Sequence, residues 1–346
     1  MKNAVLEAGE VAMRHFGKVR VEFKTDGSVV TQADREIDAL LNRRGHAMIP
    51  EAAYIGEETA RDEATVRHAR ESEWVWVADP IDGTSAFADG IETFCVSFGL
   101  LRDGQPYAGA VCFPALNHLY EGKRGTDSVF REQEGALRKR SGNSIAPDTS
   151  APHAKENGVC PLFPSPAPER PRRRFATANR KKSKIQLARR LVRRSFSEGG
   201  NLAEGGNPKS KITKGGAWYD DQPIRVLTEL PVHDRAILYT DWDAHLHYRI
   251  TWPGKTRGLG SAALHYLLVA RGVAVGAISA AHVWDYAAAA VIVKEAGGII
   301  RHLDGREINW RDYLDGRNLC PPVLAAPPAL WTQLAATMQY VPRERQ

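Results

Sequence analysis

Asp79-Pro80-Ile81-Asp82-Gly83-Thr84 follows directly on the apolar run Trp74-Val75-Trp76-Val77-Ala78. The run reads as a buried strand. The residues after it place two carboxylates three positions apart on a tight Pro/Gly turn. Carboxylates this close repel each other unless a cation holds them together. A hard cation such as Mg²⁺ binds through a few carboxylates and keeps positions open for a phosphate. Gly83-Thr84-Ser85 could open a helix, whose free N–H groups attract an anion. The stretch therefore reads as a metal beside a phosphate. Asp-Gly alone also fits a plain turn, so carboxylates elsewhere in the chain decide between the two.

Two segments supply them. Tyr54-Ile55-Gly56-Glu57-Glu58-Thr59 ends a short apolar run with a carboxylate pair. Val283-Trp284-Asp285-Tyr286 opens an alanine-rich helix that stops at Gly297-Gly298. Together with the 79–84 stretch these segments resemble the inositol monophosphatase family of Mg²⁺-dependent, lithium-sensitive phosphomonoesterases. Lys24-Thr25-Asp26-Gly27-Ser28-Val29-Val30-Thr31-Gln32-Ala33-Asp34 and Gly258-Leu259-Gly260-Ser261-Ala262-Ala263 resemble two further family segments, although Gly258 stands where a serine is common. The resemblance extends over roughly residues 1–122 and 215–340.

The resemblance implies an α/β fold, a layered α/β/α/β/α sandwich, and a homodimer. It also implies a metal set. Glu57, Asp79 and the Ile81 carbonyl would hold one Mg²⁺; Asp79, Asp82 and Asp285 would hold a second. Thr84 and Glu57 would orient the attacking water, with Asp34 accepting from Thr84. The amides of Gly83 and Thr84 would hold phosphate oxygens, Ser261 and Ala262 would line the leaving-group side, and Lys24 would add positive charge. Asp34 reads equally as a first-turn helix carboxylate, and Lys24 as a solvated lysine at a strand end. Histidines 233, 245, 247, 265 and 282 show no ligand spacing.

The implied reaction is hydrolysis of a small phosphate ester. In inositol-specific members a glutamate seven residues before the tryptophan-linked aspartate contacts sugar hydroxyls; Ile278 occupies that position here. Unpaired substrate hydroxyls cost affinity, so histidinol phosphate, a sugar phosphate and a nucleotide 3′-phosphate stay open beside inositol phosphate.

Residues 126–214 stand apart. They hold 20 Lys and Arg against 8 Asp and Glu, a net +12, so with the chain at +6 the other 257 residues carry −6. The basic pI thus belongs to this segment. Eight of the 20 prolines lie in it as well. The composition suits a disordered or solvated arm, with a short helix near 185–196. Tyr120-Glu121-Gly122 and Gly215-Gly216-Ala217-Trp218 read as two halves of one hairpin, with the arm inserted at its tip. The expected organisation is a core of 1–125 and 215–340 interrupted by 126–214. The arm is either a neutral insertion or a contact for nucleic acid; in the second case the protein could be an RNA-associated regulator rather than an enzyme.

Cys95, Cys112, Cys160 and Cys320 show neither metal spacing nor a disulfide framework. No apolar stretch reaches membrane-spanning length and no signal-peptide core opens the chain, so a soluble cytoplasmic protein is expected. Periodicity and breakers predict helices over 4–16, 31–47, 261–271 and 284–296. They predict strands over 74–78, 93–102, 107–114, 223–226, 236–239, 273–278 and 298–302.

Overall fold

The computed structural model describes residues 1–18, 22–23, 29–57, 59–60, 62–125, 215–229 and 236–341. All described residues belong to one compact unit, which lies within Met1–Thr126 and Asn207–Gln346. The expectations for 126–214, including its order, its helix near 185–196 and its nucleic-acid contact, lie outside the described residues, as do Lys24, Glu58, Cys160 and His233.

The elements in chain order are α1 (Lys2–His15), β1 (Glu22–Phe23), β2 (Val29–Val30), α2 (Gln32–Met48), β3 (Ala53–Gly56), α3 (Glu63–Glu71), β4 (Trp74–Asp82), α4 (Thr84–Ala88), β5 (Cys95–Arg102), β6 (Gln105–Phe113), β7 (His118–Lys123), β8 (Gly216–Tyr219) and β9 (Gln222–Pro223). There follow β10 (Ile237–Thr240), α5 (Ala244–His247), β11 (Tyr248–Ile250), β12 (Lys255–Arg257), α6 (Ala262–Ala270), β13 (Gly276–Ser279), α7 (Val283–Glu295), β14 (Ile299–His302), β15 (Val323–Ala326), α8 (Pro328–Ala336) and β16 (Met338–Tyr340).

A seven-stranded sheet runs β3-β4-β5-β6-β7-β8-β9, and a five-stranded sheet runs β12-β10-β13-β15-β14. The period-2 alternation of the strands explains the layering. Trp76, Ala78, Val96, Phe98 and Leu100 face α1 and α2. Val75, Val77, Cys95 and Leu101 face the opposite way, into the core shared with α6 and α7. Beyond those helices lies the second sheet, whose Leu238, Ile278 and Leu324 pack with Leu330 and Leu334 of α8. The result is the expected α/β/α/β/α sandwich. α7 has no solvent face: Val283 to Val293 are all buried, as a helix apolar all round requires.

The hairpin halves on either side of 126–214 do pair, Tyr120 with Tyr219 and Lys123 with Gly216. The turn at Asp103-Gly104 forms with positive φ at both residues. Three expectations need correction. The strand expected over 223–226 is only Gln222–Pro223. The strand expected over 273–278 begins at Gly276, because 273–275 are taken up by the turn that closes α6, where the Val273 and Ala274 amides donate to the Leu268 carbonyl. The third concerns 79–82. β4 does not stop at Ala78 but continues through Asp82, with its register against β5 broken between Asp79 and Asp82. Such a break is where a strand admits proline, and it lets both aspartates stay within the sheet. The turn comes one residue later, at Gly83.

Candidate metal centre

Three carboxylates meet at the end of β4. Asp79, Asp82 and Asp285 each offer a ligand oxygen, and these atoms all lie within 4.8 Å of one another. All three residues are buried, between 3 and 8 % exposed. β4 supplies the first two. Asp285 comes from the first turn of α7, where its Oδ2 accepts from the His282 amide at 2.7 Å. The Ser97 hydroxyl ties the same helix end to β5 through the Trp284 carbonyl.

The remaining predicted residues surround this cluster. β3 and β4 are parallel, and Gly56 pairs with Ala78, so Glu57, just past the end of β3, lies beside Asp79 of β4. Glu57 is close enough for its charge to act on Asp79 and Asp285. Gly83 caps α4 with φ +86°, and a Cβ there would lie 3.0 Å from the Gly260 carbonyl and 3.1 Å from that of Thr93. Both the conformation and the space call for glycine.

Thr84 differs from expectation. Its hydroxyl donates to the Ile81 carbonyl at 2.9 Å, while Asp34 accepts from the amide and hydroxyl of Thr31 at 2.8 and 2.6 Å. Asp34 thereby completes the capping box of α2. The Ile81 carbonyl keeps a second lone pair for another partner. Ser261 is buried, and its hydroxyl donates to Asp82 Oδ2 at 2.6 Å. The Ala262 and Ala263 amides donate to Asp82 at 3.2 and 2.8 Å. The N-terminus of α6 thus grips one carboxylate of the cluster, as a helix N-terminus holds an anion. The Cys95 thiol donates to the same carboxylate at 3.6 Å. No spacing in the sequence marks Cys95 or Ala263 for this role.

Burial pushes the Asp79 carboxyl well above the usual range, and repulsion from Asp285, Asp82 and Glu57 adds to the rise. Burial likewise raises Asp285, with Asp82 opposing its charge. Asp82 is raised by burial too, but the Ser261 hydroxyl and the Ala263 and Ala262 amides pull it back. Among the described residues none of the three has a Lys, Arg or His partner within ion-pair distance. Buried carboxylates without a counter-charge cost several kcal/mol each by order of magnitude. A divalent cation removes that cost, and an all-oxygen donor set suits a hard ion. The residues present therefore fit Mg²⁺.

The loop that leads into α6 is fixed from beneath by His265. Its Nε2 accepts from the Leu259 amide at 2.9 Å, and its ring stacks on Tyr239. This bond requires the neutral imidazole, and burial pushes the ring's pKa down to about 4. The folded value lies below the unfolded one, so this contribution is present above about pH 6.5 and fades as pH falls toward about 4. The full loss is roughly 3 kcal/mol. Denaturant unfolding at pH 7 and pH 4.5 checks it: His265→Gln should narrow the difference between the two pH values by an amount of that order.

Among the described residues no helix is long and apolar enough to cross a membrane. An inositol-1-monophosphatase of Mesorhizobium japonicum is 35% identical over 136 residues, 38% of this chain and 49% of that protein. A histidinol-phosphatase of Chlorobaculum parvum is 31% identical over 144 residues, 40% of this chain and 53% of that protein. The chain spans about half the length of these curated relatives. The extragenic suppressor protein SuhB of Bartonella henselae superposes with a TM-score of 0.61 over 97% of this chain and 96% of that one, at 19% identity. The shared fold, in which sequence segments more than 200 residues apart deliver buried carboxylates to one point, goes with a family sequence model that matches residues 1–203 and 210–342. The chain belongs to the inositol monophosphatase family.

Proposed function

We propose that the protein is a Mg²⁺-dependent phosphomonoesterase acting on a small phosphate ester. The observation that carries this reading is the buried triad Asp79, Asp82 and Asp285, with no basic partner among the described residues and with an anion-compatible turn, Gly83-Thr84, directly beside it. Asp79, Asp82, Asp285, Glu57 and the Ile81 carbonyl would hold the metal. Bound there, it supplies Lewis-acid chemistry: it neutralises the phosphate dianion and makes a water more acidic.

The chain does the rest. Glu57 accepts a proton from the attacking water, and Thr84 fixes that water's direction. The Gly83 and Thr84 amides hold phosphate oxygens. The water oxygen forms a new bond to phosphorus, the ester P–O bond breaks on the opposite side, and the leaving alkoxide takes a proton from solvent as Glu57 returns its own to solvent. Inorganic phosphate and the free alcohol are the products. Asp34 stiffens the α2 end from its capping box. Ser261 and Ala262 act by anchoring Asp82.

Phosphate release should be followed with and without Mg²⁺ over inositol 1-phosphate, histidinol phosphate, fructose 1,6-bisphosphate and adenosine 3′,5′-bisphosphate. Turnover of at least one, only with Mg²⁺, is expected. Folded protein that binds Mg²⁺ and turns over none of them would count against the reading.

A further inference from the structure

β12, β10 and β13 are parallel neighbours, and their carboxyl ends lie side by side. This is the edge at which open α/β sheets bind ligands. Asp241 follows β10 there. Its Oδ2 accepts from the Ala280 amide, just past β13, at 3.1 Å. Its backbone borders Gly258, just past β12, where an added Cβ would lie 3.9 Å from the Asp241 carbonyl. Three residues on from Gly258 begins the α6 terminus that grips Asp82. The Gly260 carbonyl in between lies against Gly83 of the metal loop. One short turn therefore has Asp241 on one side and the metal centre on the other.

Asp241 is half-buried, and among the described residues its Oδ1 has no hydrogen-bond partner and no cationic side chain within ion-pair distance. Its acidic neighbours make this worse. Burial pushes the carboxyl up to about 7 against the pull of the Ala280 amide, and Asp243 and Asp82 add to the rise. The Asp79 cluster is itself acidic, so a positive partner for Asp241 would have to come from a bound molecule. A neutral polyol would offer hydrogen bonds without charge.

We infer that Asp241 is a specificity-determining residue that receives a protonated nitrogen on the leaving group, which makes the substrate class the phosphate monoesters of amino alcohols. This rests on the phosphomonoesterase reading above. The carboxylate would hold the ammonium or imidazolium group by a charge-assisted hydrogen bond, about one short turn of chain away from the scissile ester.

The test compares ω-aminoalkyl phosphates of two to four carbons, and histidinol phosphate, with uncharged alkyl phosphates of matching length, using full-length protein with Mg²⁺. p-Nitrophenyl phosphate serves as the generic ester. Wild type should prefer the best amine ester over its alkyl match by tenfold or more in kcat/KM. Asp241→Asn should collapse that ratio toward one, mainly through KM, and Asp241→Glu should restore part of it. Turnover of p-nitrophenyl phosphate without an amine preference would overturn the inference and leave the phosphatase reading standing. An equal loss on charged and uncharged esters in Asp241→Asn would overturn it too, because a merely structural role predicts that. No turnover of any ester, the generic one included, would overturn both.

Discussion

Asp79→Asn is expected to lower Mg²⁺-dependent phosphate release by roughly a thousandfold or more, the scale of losing a group that acts on transition-state charge. Asp79 is the carboxylate on which Asp285, Asp82 and Glu57 all press, so it is the one placed to share a metal between ligand sets. Asparagine keeps its shape, and its carbonyl oxygen can still accept from the Ile81 amide, now 3.0 Å from Asp79 Oδ1. The fold should therefore survive. Stability gives an independent readout with an opposite sign. Without metal, removing one of several crowded buried charges should raise Tm, since the repulsion is relieved. With millimolar Mg²⁺ the wild type should gain Tm by mass action and the variant should gain little. A general folding defect would lower Tm in both conditions, which separates the two explanations.

Gly109→Val should be the most damaging change away from the carboxylates. Gly99 pairs with Gly109, and Gly109 pairs with Gly122, so three glycines line up across β5, β6 and β7. α7 lies in the groove they leave. A Cβ at Gly109 would sit 2.6 Å from the Ala288 carbonyl oxygen and 2.7 Å from its Cα. Both are backbone atoms of a fully buried helix, so no side chain can rotate away. At Gly99 the same contact is with Ala287 and the Ala288 amide at 2.9 Å. Overpacking of this kind costs about 3 kcal/mol or more, a Tm loss on the order of 10 °C for a unit of this size. α7 also carries Asp285, so any protein that still folds should have lost most of its metal-dependent turnover. A thermal melt with less than about 1 kcal/mol of loss would mean that α7 can move off the sheet cheaply, and that Asp285 is not held as rigidly as its buried setting implies.

The same two sites mark what could be read from sequence. The carboxylates were legible because chemistry, not packing, dictates them: Asp79, Asp82 and Asp285 come together as their residue types demanded. The alanine run from Ala287 to Ala290 announced a tightly packed helix. Its partners Gly99, Gly109 and Gly122 did not, because cross-strand register has no local signature. The stretch 79–84 reads as a turn, yet the turn begins only at Gly83, for a related reason. Proline, aspartate and glycine in a row are turn residues, but a break in register at a sheet position absorbs them equally well, and only the β5 partner decides. Ser261 reads from sequence as lining the leaving-group side, and the structure shows its hydroxyl on Asp82. Its hydroxyl faces Asp82 because it caps α6, also accepting from the Leu264 amide at 3.1 Å, and a cap must point back along its own helix. Asp241 was missed: the signal, an acidic residue closing the apolar strand 237–240, gains meaning only once Ala280 and Gly258 are seen beside it.

The most direct measurement is phosphate release from p-nitrophenyl phosphate by metal-stripped protein as Mg²⁺ is titrated back, with Asp79→Asn in parallel. Turnover should be absent in chelator, rise saturably with Mg²⁺ in the wild type, and stay near background in the variant. Turnover that persists in chelator, or that Asp79→Asn retains in full, would contradict a metal-dependent reaction at the Asp79, Asp82 and Asp285 cluster.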